Sequence, residues 1–179
     1  LTNMLILPRI LVLVALLTLP MSVLADVVRP ALVEINVNTD GTYRVEVRAS
    51  IEALLTGINA KYKNTKDSPM AAEYDALRVL QEEQLAEAFE PFKSRFTELV
   101  ELRFDTERVP LRITATDIPE PGYTKVPRIS LIIMEGAVDR NATTVDWYYP
   151  ARFGDNAVRV RQVDEVNEQW HWSQWQWIR

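Results

Sequence analysis

Two stretches early in the chain alternate between apolar and polar residues. In residues 31–37 the odd-numbered positions are apolar, and residues 43–49 repeat the pattern. A period of two places the apolar side chains on one face of a β-strand. The segment between them ends in Asp40-Gly41, and glycine accepts the positive φ that a tight turn requires. The pattern therefore predicts an antiparallel hairpin with one buried face and one solvated face.

A helical pattern follows the hairpin, after a short turn or helix and an exposed loop that we predict over residues 51–65. Ser68-Pro69 is typical of a helix start, because serine can cap a helix and proline fits its first position. Pro91 interrupts the pattern, which allows either one kinked helix or two helices with Pro91 opening the second. We predict a helical insertion over about 68–99. Its apolar stripe, with steps of three and four residues, consists of Leu85, Phe89, Phe92, Phe96 and Leu99.

Alternation with a period of two returns after the helical segment. Residues 128–138 are apolar on both faces, which is typical of a central strand. In the last stretch we expect Arg159 and Arg161 to point outward. The predicted fold class is α+β, mainly β: an antiparallel β-sandwich with a helical insertion after the first hairpin. The other alternating stretches are residues 100–104, 111–115, 145–149 and 157–163.

Residues 1–25 have the order of segments found in a secretory signal peptide. Arg9 is the only charged residue before Asp26, and the apolar run over 10–19 leads to the small residue Ala25. The alternative is an uncleaved membrane anchor, but a span needs about 20 apolar residues. We therefore predict a signal peptide at 1–25 and one exported domain at 26–179.

Composition and charge narrow the chemistry that this chain can perform. It has 20 Lys and Arg against 25 Asp and Glu, and this net charge of -5 argues against a nucleic-acid partner. It has no cysteine, which excludes disulfides, thiolate catalysis and iron–sulfur clusters, and His171 is its single histidine. Asp155-Asn156 lacks the spaced oxygen ligands of a calcium loop. We predict no enzyme activity, cofactor or metal. A hydrolase or a metal-dependent enzyme that uses His171 or Asp155 is kept as an alternative hypothesis.

Four of the five tryptophans lie in the last ten residues. The first two and the last two have opposite strand parity, so the face changes near Ser173-Gln174. Three interpretations stay open: a last strand packed on the sandwich with a bulge, an interfacial belt at a membrane, or a platform that stacks on sugar rings. The candidate membrane-proximal or ligand-binding surface consists of Trp170, Trp172, Trp175 and Trp177.

Four stretches of the chain have distinctive local sequences. Residues 25–35 read ADVVRPALVEI, 118–125 read IPEPGYTK, 147–155 read WYYPARFGD, and 169–177 read QWHWSQWQW. These stretches resemble the extracytoplasmic domain in one group of HupE/UreJ-type bacterial membrane proteins, and the resemblance extends over residues 26–179. It implies a signal peptide, this domain, and then a bundle of membrane helices, so we expect the natural protein to continue past Arg179.

The resemblance also implies a function. HupE/UreJ-type proteins are hydrogenase and urease accessory proteins that act as nickel or cobalt permeases, and their metal-handling His and Asp residues lie in the membrane helices. No site residue therefore carries over to this chain. We expect a non-enzymatic domain on the periplasmic side of a bacterial cell membrane, with the membrane as its partner through those helices.

An alternative function belongs to a different class of protein. The chain would then be a free-standing periplasmic sandwich that binds a glycan or a peptide on its aromatic faces. Trp147, Tyr148 and Tyr149 would join the terminal tryptophans in that platform, because flat aromatic rings stack on sugar rings.

Overall fold

The computed structural model describes residues 27–164, 169–171 and 176–178, with side chains from residue 27 to residue 162. The predicted signal peptide lies outside the described residues. In chain order the strands and α-helices are β1 (Ala31–Asn38), β2 (Thr42–Ala49), α1 (Ile51–Thr56), α2 (Ala71–Arg78), α3 (Glu82–Phe89), α4 (Phe92–Leu99), β3 (Glu101–Phe104), β4 (Glu107–Val109), β5 (Ile113–Asp117), β6 (Ser130–Ala137), β7 (Val145–Tyr148), β8 (Asn156–Asp164), β9 (Gln169–His171) and β10 (Gln176–Ile178). Short 3-10 helices cover Thr65–Asp67 and Ala151–Phe153.

The strands form two sheets that share one core. The large sheet has the order β10-β8-β1-β2-β6-β5, with β9 also paired to β8, and the small sheet has the order β4-β3-β7. Tyr43 of β2 meets Phe104 of β3 between the sheets, with their ring centroids 5.6 Å apart. The predicted class, a mainly β α+β fold with helices inserted after the first hairpin, is confirmed.

One strand pairing differs from the expected antiparallel arrangement. β1 pairs with β2 in antiparallel orientation but with β8 in parallel orientation, from Ala31 opposite Asn156 to Asn38 opposite Val163. Alternation determines which face a side chain occupies, but it carries no information about which strand lies alongside. The pairing encloses β1, and its side chains Val33 and Ile35 are fully buried.

The hairpin of β1 and β2 is formed as predicted, and its turn depends on Gly41. The Gly41 N–H donates to the Asn38 carbonyl at 3.0 Å, and Gly41 has a φ of 87°. The carbonyl of Gly41 in turn accepts from the Val138 N–H at 2.8 Å. The turn therefore joins the hairpin to the segment that follows β6.

We expect Gly41→Ala to destabilise the fold by about 2 kcal/mol, because alanine is strained at positive φ. A Cβ at this position would also lie 2.8 Å from the Val138 carbonyl oxygen and 2.9 Å from Arg140 Cγ. Chemical denaturation measures the loss. Gly122→Ala is the matched control, since no atom lies within 4 Å of its added Cβ. Equal stability of the two variants would contradict this description of the turn.

The apolar stripe divides into two helices, as the second alternative for Pro91 predicted. α3 ends at Phe89 and α4 begins at Phe92, so Pro91 lies immediately before the first turn of α4. Leu85, Phe89 and Phe96 are fully buried against the sheets. Each helix thus contributes part of one continuous apolar face to the core.

The first helix of the predicted insertion begins later than Ser68-Pro69. The Ser68 side chain accepts from the Met70 N–H at 3.2 Å, and the Ser68 carbonyl accepts from the Ala71 N–H at 3.1 Å. Ser68 therefore closes a turn before α2, which starts at Ala71. The segment 51–65 contains α1, capped by Ser50 and ended by Gly57.

The two ends of the large sheet have different surroundings. The α1 end comprises residues 27–31, α1 with the loop 57–67, and residues 150–156. The turn end comprises the β1–β2 turn, the β3–β4 turn and the loop 138–144. Hydrogen bonds fix each group: Ala31 N–H donates to the Asp155 carbonyl at 2.9 Å at the α1 end, and Asp105 N–H donates to the Thr144 carbonyl at 3.2 Å at the turn end.

Candidate functional site

The predicted tryptophan surface falls along one edge of the large sheet. Trp170 lies in β9 opposite Val163, and Trp177 lies in β10 opposite Ala157. Both strands run antiparallel to β8 on the side away from β1. Trp172 and Trp175 lie outside the described residues.

The register of these two strands explains the parity change seen in the tryptophan positions. From His171 to Gln176 the chain advances five residues, whereas their partners Gln162 and Val158 are four residues apart. Because of this shift, Trp170 and Trp177 both lie opposite odd-numbered residues of β8, namely Val163 and Ala157.

The aromatic platform proposed for residues 147–149 is not formed. Trp147 and Tyr149 are buried, and only Tyr148 is exposed. Tyr149 packs against Phe96 and Phe153, with ring centroids 6.4 Å and 5.6 Å away, and burial raises the pKa of its hydroxyl. Alternation along β7 predicted a strand correctly, but Trp147 faces the core between the sheets. This result removes two of the three additional residues on which the glycan or peptide alternative depended.

The face of the large sheet that points away from the core carries a buried ion cluster. Glu34 of β1 is only 5% exposed, and it pairs with both Arg159 and Arg161 of β8. The two arginine side chains are 20% and 15% exposed. As expected, these arginines lie on the outer face of the sheet, and the parallel pairing of β1 and β8 places them beside a buried carboxylate.

A more exposed ion network continues across the same face on β2 and β6. Glu46 accepts from Arg44 at 3.0 Å and from Arg48 at 2.8 Å, and Arg44 also pairs with Glu135. Most of these side chains are between about one-third and one-half exposed. Two of these pairs lie within β2, and the pair of Arg44 with Glu135 crosses from β2 to β6.

A second buried ion pair joins the helices to the large sheet. The Arg128 Nε lies 2.8 Å from a carboxylate oxygen of Glu52 in α1, and both side chains are almost completely buried. The other carboxylate oxygen of Glu52 accepts from the Ser50 hydroxyl at 2.8 Å. The remaining Arg128 nitrogens donate to the carbonyls of Leu77, Leu80 and Pro119. Its partners come from three separate segments, so no local sequence pattern marks this pair.

The residues considered for acid–base or metal chemistry do not converge. His171 is opposite Gln162 at the turn end of β8, whereas Asp155 precedes β8 at the α1 end, about 20 Å away along the strand. Asn156 is buried, and the neighbouring Asp155 is exposed.

Glu82 is exposed on α3, and repulsion from Glu83 raises the pKa of its carboxyl. Within the described part of the chain, no three His, Asp or Glu side chains are grouped in a way that could hold a metal ion.

The depressions on the surface are wide and shallow. One of about 430 Å³ at the turn end borders Phe104, Asp105 and Asn141. There, hydrogen bonds from the backbone N–H groups of Thr143 and Thr144 lower the pKa of the Asp105 carboxyl. This carboxylate is used to fix the loop, and the depression beside it collects no convergent set of reactive groups.

The two ends of the described domain meet at the α1 end of the large sheet. Asn156, the first residue of β8, pairs with Ala31 on one side and with Ile178 on the other. Neighbouring strands lie about 4.8 Å apart, so the start of β1 and the end of β10 are about 10 Å from each other. None of the helices within the described residues combines the length and the hydropathy that crossing a bilayer requires.

Comparison of the chain with protein-family models, with curated proteins and with solved structures finds no match.

Proposed function

We propose that this chain is a non-enzymatic, extracytoplasmic module of a HupE/UreJ-like bacterial membrane protein. The observation that carries the proposal is that β10 ends at the α1 end of the large sheet, where Ile178 lies opposite Asn156. Membrane helices that follow β10 would hold this end of the domain against the bilayer. The α1 end would then face the membrane, and the turn end would face away from it.

The mature protein would keep one connection to the membrane in this orientation. The apolar run over residues 10–19 belongs to the predicted signal peptide, which is removed on export, whereas the resemblance implies membrane helices after the last strand. A chain that leaves β10 beside the entry to β1 needs no long linker to reach the same membrane surface. Trp177 of β10 lies next to that exit, opposite Ala157, and indole rings favour the bilayer interface. Trp170 of β9 lies opposite Val163, toward the turn end.

The assignment of a non-enzymatic role rests on how the described side chains are used. The most buried carboxylates, Glu34 and Glu52, are held in ion pairs that join strands and helices. Acid–base catalysis needs a carboxylate or histidine that faces a substrate in a cleft. Any nickel or cobalt transport would therefore belong to the membrane helices that the resemblance implies.

Fractionation of the natural gene product tests this function. We expect the protein to remain in the membrane pellet after alkaline carbonate washing, and the reading frame to continue past the Arg179 codon into long apolar segments. A stop codon directly after Arg179, together with recovery of the protein in the soluble periplasmic fraction, would contradict the proposal.

A further inference from the structure

We propose that the α1 end binds anionic phospholipid headgroups through Lys61 and Lys63, with Arg29 and Arg152 beside them. The inference rests on the proposed function in one respect: the α1 end must face a membrane. It adds a specific contact surface, called here the basic end and defined by these four residues.

Contacts among three segments bring the backbone positions of the four cations of the basic end together. The Asn59 side chain donates to the Arg152 carbonyl at 3.4 Å, and Lys61 lines a depression of about 410 Å³ together with Gly154 and the exposed Asp155. Tyr62, between the two lysines, packs on a small apolar cluster that contains Val28, the neighbour of Arg29. The N-terminal segment, the loop after α1 and the segment before β8 therefore form one surface.

The charge of this surface is opposite to that of the whole chain. The α1 end contains five cations, the four of the basic end and Lys66, against Glu52, Asp67 and Asp155, in a chain of net charge -5. The turn end has the reverse balance, with aspartates at positions 40, 105 and 139 against Arg140. The fold thus separates charge along the large sheet, with the basic end beside the point where both ends of the domain meet.

The cations of the basic end are not neutralised by neighbouring carboxylates. Among the described residues no ion pair involves Lys61, Lys63, Arg29 or Arg152, whereas Arg44, Arg48, Arg103, Arg159 and Arg161 all have carboxylate partners. All four side chains of the basic end belong to exposed residues. Their charge is therefore available to an anionic surface.

The loop that carries the two lysines is held in place by its own hydrogen bonds. The Asn59 side chain accepts from the Lys61 N–H at 3.1 Å, and the Asn59 carbonyl accepts from the Tyr62 N–H at 3.1 Å. The Lys61 ammonium lies 4.9 Å from the centre of the Tyr62 ring. Because the backbone is fixed, binding would order little more than the lysine side chains.

Vesicle binding of the purified chain tests the inference. The probes are vesicles of phosphatidylcholine alone and of an equal mixture of phosphatidylcholine and phosphatidylglycerol. We expect the chain to sediment with the anionic vesicles, and Lys61→Glu with Lys63→Glu to lower its partitioning about 30-fold or more, from the usual contribution of each basic residue near an anionic surface. Raising the salt from about 0.1 M to about 1 M should also release the chain, because the Debye length falls from about 10 Å to about 3 Å.

The matched control is Arg103→Glu with Arg108→Glu in β3 and β4. Each pair of substitutions changes the net charge by the same amount, but Arg103 and Arg108 flank the turn at the other end of the molecule. We expect this control to bind as the native chain does. Equal binding by the native chain and the Lys61/Lys63 variant, or equal losses for the two variants, would overturn the inference.

The result is separable from the test of the proposed function. If the gene product fractionates with membranes while the lysine variant still binds vesicles, only the contact surface is wrong. If the lysines direct vesicle binding while the gene product is a soluble periplasmic protein, the proposed membrane-protein function fails and the lipid contact stands.

Discussion

Replacement of Arg128 by alanine is expected to destabilise the fold by about 3–5 kcal/mol, because the variant leaves the Glu52 carboxylate buried without its cation. The cost has a second source. Arg128 also donates to the carbonyls of Leu77, Leu80 and Pro119, and these acceptors lose a charged donor. Chemical denaturation of the native and variant chains measures the difference in the free energy of unfolding.

Two further variants distinguish the ion pair from general sensitivity to arginine loss. Arg112→Ala is the matched control: Arg112 is exposed and has no ion pair among the described residues, so its loss should change stability by less than about 0.5 kcal/mol. Adding Glu52→Met to Arg128→Ala removes the unpaired charge and should recover part of the loss. A cost below about 1 kcal/mol for Arg128→Ala would contradict the role assigned to this pair.

Replacement of Glu34 by alanine is expected to cost about 3 kcal/mol, the second-largest effect. Glu34 is 5% exposed and pairs with two arginines of β8, so its removal takes a shared carboxylate from two largely buried cations at alternate positions of one strand. The damage should concentrate at the β1–β8 pairing. Hydrogen exchange of the β8 amides should therefore accelerate more than exchange in the small sheet.

Glu46→Ala is the internal comparison for Glu34→Ala. Glu46 occupies the adjacent position on β2 and also pairs with two arginines, but those arginines are 38% and 41% exposed. Solvent screens such pairs, so the loss should stay within about 1 kcal/mol. If the two glutamate variants lost equal stability, burial would not be what makes the Glu34 cluster important.

The elements that local patterns could predict are those that the structure confirms. The hairpin depends on alternation and on Asp40-Gly41, and the helical stripe depends on spacings of three and four residues. In each case the information lies within about 20 residues of chain. The predicted start of α2 was less accurate, because the Ser68 side chain accepts a hydrogen bond in a turn before the helix.

The features that could not be predicted depend on distant neighbours. The two arginines of β8 find Glu34 only because β8 pairs in parallel with β1, and Arg128 finds Glu52 across 76 positions of sequence. Likewise, alternation cannot decide whether Trp147 faces a ligand or a second sheet. The convergence of Ala31 and Ile178 on Asn156 has the same origin, since it requires the topology of the whole sheet.

The outer face of the large sheet and the basic end differ in how their cations are paired with carboxylates. On the outer face of the large sheet, the arginines are engaged with carboxylates of the same strand or of an adjacent strand. At the basic end the cations are exposed and have no carboxylate partner within the described part of the chain. A sheet that neutralises its own face and leaves positive charge beside both chain ends is suited to contact an anionic surface at that end.

The most direct test of the central claim is cysteine labelling in intact bacterial cells. The native chain has no cysteine, so Val79→Cys, at a site that is 58% exposed between α2 and α3, provides a single reactive thiol. Ala49→Cys, at a site that is 5% exposed in β2, is the unreactive control. With only the outer membrane permeabilised, a membrane-impermeant maleimide should label Val79→Cys, and the labelled protein should be in the membrane fraction. Labelling only after the inner membrane is broken would place the domain in the cytoplasm and contradict the account.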